Sequence, residues 1–313
     1  MTTRISPHRH HMRASVSRPA IYCIMAAIFV LWLSFSPLLL CLAQAEPQQD
    51  AAEKPEYLLG VYPALPISQL DSLFSPIAAE IGQGIHRDIR FQSSSTYAKY
   101  SARLDKGEFD IALVHPFDYA LHAEKAGYVP VVRKNEELTT VFVAPVDSPL
   151  QTMEELKGKI IAMPPEGSAV SLLAIAELTR LGLSPHSAIQ VKYFGAHNSS
   201  LRSVVVKDTD AAATCRTILR IYENSLGSRL RIIGETAAVP HSLFVVHQRV
   251  PATERELIMN ILLNTTLFGV PPDLRKAFVI EGKAPFVSVS GEDINRVKTN
   301  PVLSAFCLPE GKP

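Results

Sequence analysis

Four cysteines, one tryptophan and fifteen glycines among 313 residues put several classes of protein out of reach. Cys23 and Cys41 fall in the N-terminal segment, so only Cys215 and Cys307 remain beyond it, too few for a disulfide-stapled scaffold. No G-x-G-x-x-G or Walker loop is present to cradle a nucleotide, and neither a G-x-S-x-G elbow nor an H-E-x-x-H pair occurs. The lone tryptophan, Trp32, also lies in the N-terminal segment, and basic and aromatic residues do not interleave as a single-strand nucleic-acid platform requires. Charged residues make up 19% and the formal net charge is +1, which excludes a disordered chain, a coiled coil and a strongly basic nucleic-acid binder. The seven histidines beyond residue 45 are scattered without ligand spacing, so neither a metal nor another cofactor is expected. What the chain has is apolar content, 47%, enough for two ordinary domains or one two-lobed domain.

Charge is distributed unevenly. Residues 1–45 hold Arg4, Arg9, Arg13 and Arg18 and no acid. Taking those four from the 31 basic residues leaves 27 against 30 acidic ones, a net of about −3. An apolar run from Ala20 to Leu42 follows the arginines and ends at Ala43-Gln44-Ala45. A basic start, an apolar middle and a small-x-small exit read as a secretory signal peptide cut after Ala45, with the periplasm as destination. About 20 apolar residues also suffice to span a bilayer, so an uncleaved anchor is the alternative. Leu38-Leu39-Leu40-Cys41 hints at a lipoprotein box, but Leu40 is bulky where a small residue is wanted.

Beyond residue 56 strands and helices alternate. Strands are expected at Tyr57–Tyr62, Asp88–Gln92, Asp110–Val114, Tyr128–Val132 and Thr140–Ala144. Leu70, Leu73, Phe74, Ile77 and Ile81 recur at helical spacing within Ser68–Ile81. Further helices are expected from Tyr97 to about Lys106 and from Pro116 through Ala126. The pattern then restarts, with strands at Lys159–Met163, Ile189–Phe194, Asp210–Thr214, Arg231–Gly234 and Leu243–His247. Helices Ala169–Leu181 and His197–Lys207 fall between them, and Ala252–Leu262, Pro272–Phe278 and Glu292–Val297 close the chain. This alternation predicts an α/β fold of mainly parallel sheets in two lobes. The boundaries expected are 1–45 for the signal peptide, 46–143 for the first part of lobe one, 144–241 for lobe two and 242–313 for the return to lobe one.

Three helix starts are rich in neutral hydrogen-bond donors: Ser94, Ser95, Thr96 and Tyr97; Gly167, Ser168 and Ser171; and Gly195, His197, Asn198, Ser199 and Ser200. Each follows a strand at its C-terminal end, where open α/β sheets place ligands. Free amides and the positive helix end bind anions there, and short hydroxyls add hydrogen bonds. Each is equally an ordinary N-cap. His115 and Asp118, three apart, read either as a catalytic dyad or as a turn in which Asp118 caps the next helix; the turn is expected. Cys215 is expected to be unpaired.

The stretch Phe91–Ala120, FQSSSTYAKYSARLDKGEFDIALVHPFDYA, resembles the periplasmic phosphate/phosphite/phosphonate-binding family of ABC transporters. The likeness lies in a tyrosine after a small polar residue, an Asp-Ile-Ala strand and a Pro-Phe-x-Tyr-Ala turn. Met153–Met163 is similar to the start of that family's second lobe, Gly167–Ser171 to its serine-rich loop and Gly195-Ala196-His197 to its Gly-x-His turn. The match runs from about Tyr57 to Asn264. It implies a type 2 periplasmic-binding-protein fold, in which two α/β lobes close by a hinge on a small oxyanion without catalysis. Binding roles would fall on Tyr97, Ser168 and His197, flanked by Ser95 and Asn198. Ala169 and Ser171 share the serine-rich loop, whose register is ambiguous.

The departures bear on the ligand. Where the family often carries an acid for the ligand's amine, Cys215 or Arg216 stands. After Pro240 it tends to have Asn-Asp, and this chain has His241-Ser242; a tyrosine near the first crossover is replaced around Leu138. Cys215 and His241 thus join the candidate site. An oxyanion without an amine is expected, since a buried ammonium would lack a partner. The implied partner is an ABC-transporter permease, serving a monomer that contacts no nucleic acid. A sensory protein reporting to a membrane histidine kinase is the alternative, and a secreted hydrolase using His115 or His197 is a third reading.

Overall fold

A computed structural model describes residues 56–185, 187–226 and 230–303. The signal peptide, its anchor and lipoprotein alternatives, and Cys307 lie outside the described residues. The first apolar run forms β1 (Tyr57–Val61). Helix α1 (Ile67–Ile85) buries Leu70, Leu73, Phe74, Ile77 and Ile81 on one face and runs a turn beyond its expected end, to His86 in the left-handed conformation. After β2 (Ile89–Gln92), α2 (Tyr97–Asp105) starts at Thr96, whose Oγ1 accepts from the Lys99 amide at 3.2 Å.

Strand β3 (Ile111–Val114) leads into a helical turn, Pro116–Asp118, and a π-helical turn, Tyr119–Ala123, instead of one helix to Ala126. The cap there is His115 and not Asp118: its Nδ1 accepts from the Asp118 amide at 3.2 Å. The chain continues through β4 (Tyr128–Lys134), β5 (Glu137–Leu138), β6 (Thr140–Pro145), β7 (Ile160–Met163) and α3 (Ala169–Arg180). Next come β8 (Gln190–Tyr193), α4 (His197–Val205), β9 (Ala211–Cys215), α5 (Arg216–Leu226), β10 (Leu230–Glu235), β11 (Val239–Pro240) and β12 (Leu243–His247). The chain then forms α6 (Ala252–Asn264), α7 (Pro272–Phe278), β13 (Phe286–Ser288) and α8 (Gly291–Lys298).

One sheet has the order β13-β4-β12-β3-β1-β2, the second β10-β6-β9-β7-β8, and β11-β5 form a ribbon of two. Both large sheets are mixed, which corrects the expectation of mainly parallel ones. Pairs joined through a helix are parallel: β1 with β2 and β3, and β7 with β8 and β9. The strands beside the crossings run the other way, because the chain enters each sheet from the end facing its neighbour. Thus β12 is antiparallel to β3 and β4, and β6 to β9 and β10. All of β6 lies in the second sheet, so the chain leaves the first after Lys134, ahead of position 143. Both crossings pass through the ribbon, where Val239 pairs with Leu138 and Pro240 with Glu137.

The chain end packs partly as expected, with α6 against α1. Helix α7 instead lies against α5, a helix for which the sequence carried no break signal after β9. Among the described residues, no helix is long and apolar enough to cross a membrane.

Close packing constrains β1 at Gly60, which lies beneath the fully buried Phe109 ring, where a Cβ would collide. Replacing Gly60→Ala is expected to cost about 1–3 kcal/mol through overpacking. Urea denaturation checks this; an unchanged midpoint would show that the ring yields freely.

Candidate functional site

A cavity of about 70 Å³ takes its walls from both large sheets. Its lining includes the C-terminal ends of β1, β3 and β9 and the starts of α2, α3 and α4. These are the positions at which open α/β sheets leave crevices for ligands.

Tyr97 enters from the first residue of α2 and is 6% exposed. Its ring lies 5.8 Å from that of Tyr62 and 6.0 Å from that of His115. Burial, reinforced by the nearby Tyr62 and Asp118, pushes the Tyr97 phenol well above its ordinary value, so it is a neutral donor. Ser168 caps α3: its Oγ accepts from the Ser171 amide at 3.3 Å, and Ser168 and Ala169 both line the cavity.

Helix α4 starts differently. Its N-cap is Ala196, so no side chain satisfies its first amides. His197, the next residue, is 3% exposed and lines the cavity, and its Nδ1 has no hydrogen-bond partner. Burial holds its imidazole down at about 4, so the ring is neutral at pH 7.

Cys215, the last residue of β9, is a free buried thiol on the cavity wall, raised above its ordinary value by burial. His241 faces the same space. Its Nδ1 accepts from the Ser242 amide at 2.7 Å, which leaves the proton of the neutral ring on Nε2. Ser242 Oγ lies 3.0 Å from that Nδ1 and 2.6 Å from Tyr62 Oη. Burial, followed by the Lys134 charge, drives His241 well below the ordinary histidine value.

The fold therefore brings Tyr97, Ser168, Ala169, His197, Cys215 and His241 to one cavity. Three other candidates stand off it. Ser95 is exposed and accepts from Lys99 Nζ at 3.1 Å. Ser171 spends its hydroxyl on the Pro164 and Pro165 carbonyls, at 3.0 and 3.1 Å, bracing the loop before α3. Asn198 is half-buried with Oδ1 unpartnered, but it does not line the cavity. His115 also lines the space; its Nε2 lies 2.9 Å from Asp118 Oδ2, out of line for a hydrogen bond. Among the described residues there is no cluster of three histidines, cysteines or carboxylates that could hold a metal ion.

Sequence reasoning missed Tyr62, Ser242, Thr217 and above all Lys134, which is 4% exposed. Lys134 Nζ donates to Glu136 Oε2 at 2.6 Å and to Thr217 Oγ1, and it lies 4.8 Å from the centre of the Phe278 ring. Thr217 Oγ1 and the Arg220 guanidinium also donate to Glu136, at 2.9 to 3.2 Å. Burial pushes the Glu136 carboxyl up, but Lys134 and Arg220 outweigh it and hold the group down at about 2. The signal available was period two along β4: Val132 and Lys134 point the same buried way.

The family model described as "ABC transporter, phosphonate, periplasmic substrate-binding protein" matches residues 59–294. No curated protein sequence matches. Among solved structures, PhnD1 from Prochlorococcus marinus in complex with methylphosphonate is 14% identical with a TM-score of 0.66, covering 80% of this chain and 98% of its own. The binding-protein component of a Pseudomonas aeruginosa ABC phosphonate transporter is 14% identical with a TM-score of 0.65, over 77% and 83% of the two chains. XAC2383 from Xanthomonas citri bound to ATP is 18% identical with a TM-score of 0.59, over 78% and 94%. The fold is thus that of the type 2 periplasmic binding proteins, and the sensor alternative finds no support among these relatives. With the family matched across both sheets and the cavity between them, this chain belongs to the phosphonate periplasmic substrate-binding proteins of ABC transporters: it is the solute-binding component, which takes a small ligand and works with a membrane permease.

Proposed function

We propose that the cavity holds a small tetrahedral oxyanion, the phosphono group of a phosphonate or phosphate or phosphite itself. Tyr97 donates from the first sheet's side, and Ser168, the start of α3 and His197 donate from the second. The observation that carries this reading is the start of α4: an uncapped helix N-terminus beside a buried imidazole with an unpartnered nitrogen, facing the same space as Tyr97 and Ser168. An oxyanion supplies several acceptor atoms at once, and the positive helix ends favour its charge. The space is also large enough, since one water needs only about 10–15 Å³ on the same measure.

The described chain before β5 together with that after β11 acts as one lobe and the chain between them as the other, hinged where the chain crosses at β5 and β11. Only the closed arrangement gives the ligand contacts from both lobes, which is the differential affinity that drives closure. The lining chemistry supports capture without turnover: Tyr97 and Cys215 stay protonated, and His197 and His241 neutral. The protein is exported through its N-terminal segment and acts as a monomer delivering ligand to a permease.

His197→Ala is expected to weaken binding of phosphate or methylphosphonate at least about tenfold, the loss of one hydrogen bond to a charged group. Titration calorimetry reads this, and equal affinities would remove His197 from the site.

Acid stability gives a second check. Below pH 6.5 the unfolded chain protonates His197, whereas the folded chain resists until about pH 4. The unfolded state then holds more protons, so stability falls as pH drops through that window, by about 2 kcal/mol between pH 6.5 and 4.5. Urea titrations at the two pH values should show a smaller loss in His197→Asn than in the parent. An identical loss would mean that this imidazole is not held neutral.

A further inference from the structure

We infer that the site selects phosphonates whose organic group is short, apolar and uncharged, and that Lys134 is the residue that turns amines away. This rests on the reading of the cavity as an oxyanion site and goes further, to what is attached to the anion.

Away from the helix starts, the cavity wall is hydrocarbon. Leu73 and Phe74 come from α1, Ile221 from α5, and Phe278 and Phe286 from the chain end. Among the described residues no aspartate or glutamate lines the space, and its one lysine or arginine is Lys134. The nearest carboxylate on this network, Glu136, is already committed. Its Oε2 takes bonds from Lys134, Thr217 and Arg220, and its Oε1 takes one from Arg220. An ammonium on the ligand would be stripped of water and stand near a cation of like sign, while the other buried carboxylate close by, Asp118, does not line the space and lies behind His115, 2.9 Å from its Nε2.

A hydrocarbon group meets the opposite situation. It replaces water against leucine and phenylalanine side chains, and each buried methylene tightens binding about fourfold while room lasts. A space of about 70 Å³ accepts about five to seven water-sized groups. A phosphono group takes four of these, leaving about one to three carbons. Lys134 therefore acts on selectivity more than on charge balance. Its ammonium is neutralised within the protein by Glu136 and lies against the Phe278 ring.

The test compares phosphate, ethylphosphonate and 2-aminoethylphosphonate by titration calorimetry on the purified protein, freed of bound ligand, and on Lys134→Met. In the parent, ethylphosphonate is expected to bind about 100-fold more tightly than its amine analogue and more tightly than phosphate. In Lys134→Met the Glu136 carboxylate loses its lysine, and the discrimination should shrink to within about tenfold. Equal affinity for the two phosphonates in the parent would overturn the inference and leave the oxyanion reading intact. Phosphate binding more tightly than ethylphosphonate would overturn the apolar subsite alone. Unchanged discrimination in a folded Lys134→Met would take the role from Lys134. If that variant does not fold, the parent's ratio still decides ligand class. No binding of any of the three would overturn the oxyanion reading and this inference with it.

Discussion

Backbone amides at the start of a buried helix must find acceptors, and this constraint organises the cavity. Three helices begin there. Thr96 answers the demand for α2 and Ser168 for α3, each with its own hydroxyl. Helix α4 has alanine at the cap, and the imidazole one residue on is also short of a partner. An unsatisfied buried donor or acceptor costs about 1–3 kcal/mol. A polar ligand entering the cavity meets that need, so part of its affinity is set before it arrives.

The rest of the fold brings those helix starts face to face. Parallel β-helix-β units put the C-terminal strand ends and the following helices on one side of each sheet. The two crossings, tied by the β5–β11 ribbon, set the two sheets against a common space. That space is electrically quiet. Buried phenols, a thiol and two neutral imidazoles supply donors without charge, and the one lysine is balanced by Glu136. Directed neutral donors recognise an oxyanion by geometry, and the apolar remainder of the wall meets whatever that oxyanion carries.

Much of this was legible along the chain. Helical spacing located α1, and the apolar run Leu243–His247 was recognised as the return to the first sheet. Strand direction was not legible, because an inserted antiparallel strand has the same apolar pattern as a buried parallel one. Helix α5 was missed because β9 runs into it at Arg216 with no glycine, proline or capping residue between them. Strands β5, β11 and β13 are two or three residues long, too short for any period to show. Around the cavity, Tyr97, Ser168 and His197 were legible as lining residues because helix starts advertise themselves through short polar residues. Ser171 and Asn198 share that local chemistry but stand off the cavity, since each step round a helix turns a side chain about 100°, and Ser95 lies before the Thr96 cap, exposed on the loop. Lys134 lay hidden between Arg133 and Asn135, and only the packing of β4 reveals which of these basic residues is enclosed.

The most direct measurement is a crystal structure of the protein with ethylphosphonate bound. The account predicts the phosphono oxygens within hydrogen-bond distance of Tyr97 Oη, Ser168 and His197, with the ethyl group against the apolar wall. A phosphono group seated elsewhere, such as the surface groove beside Arg87 and Arg90, with Tyr97 and His197 untouched, would contradict it.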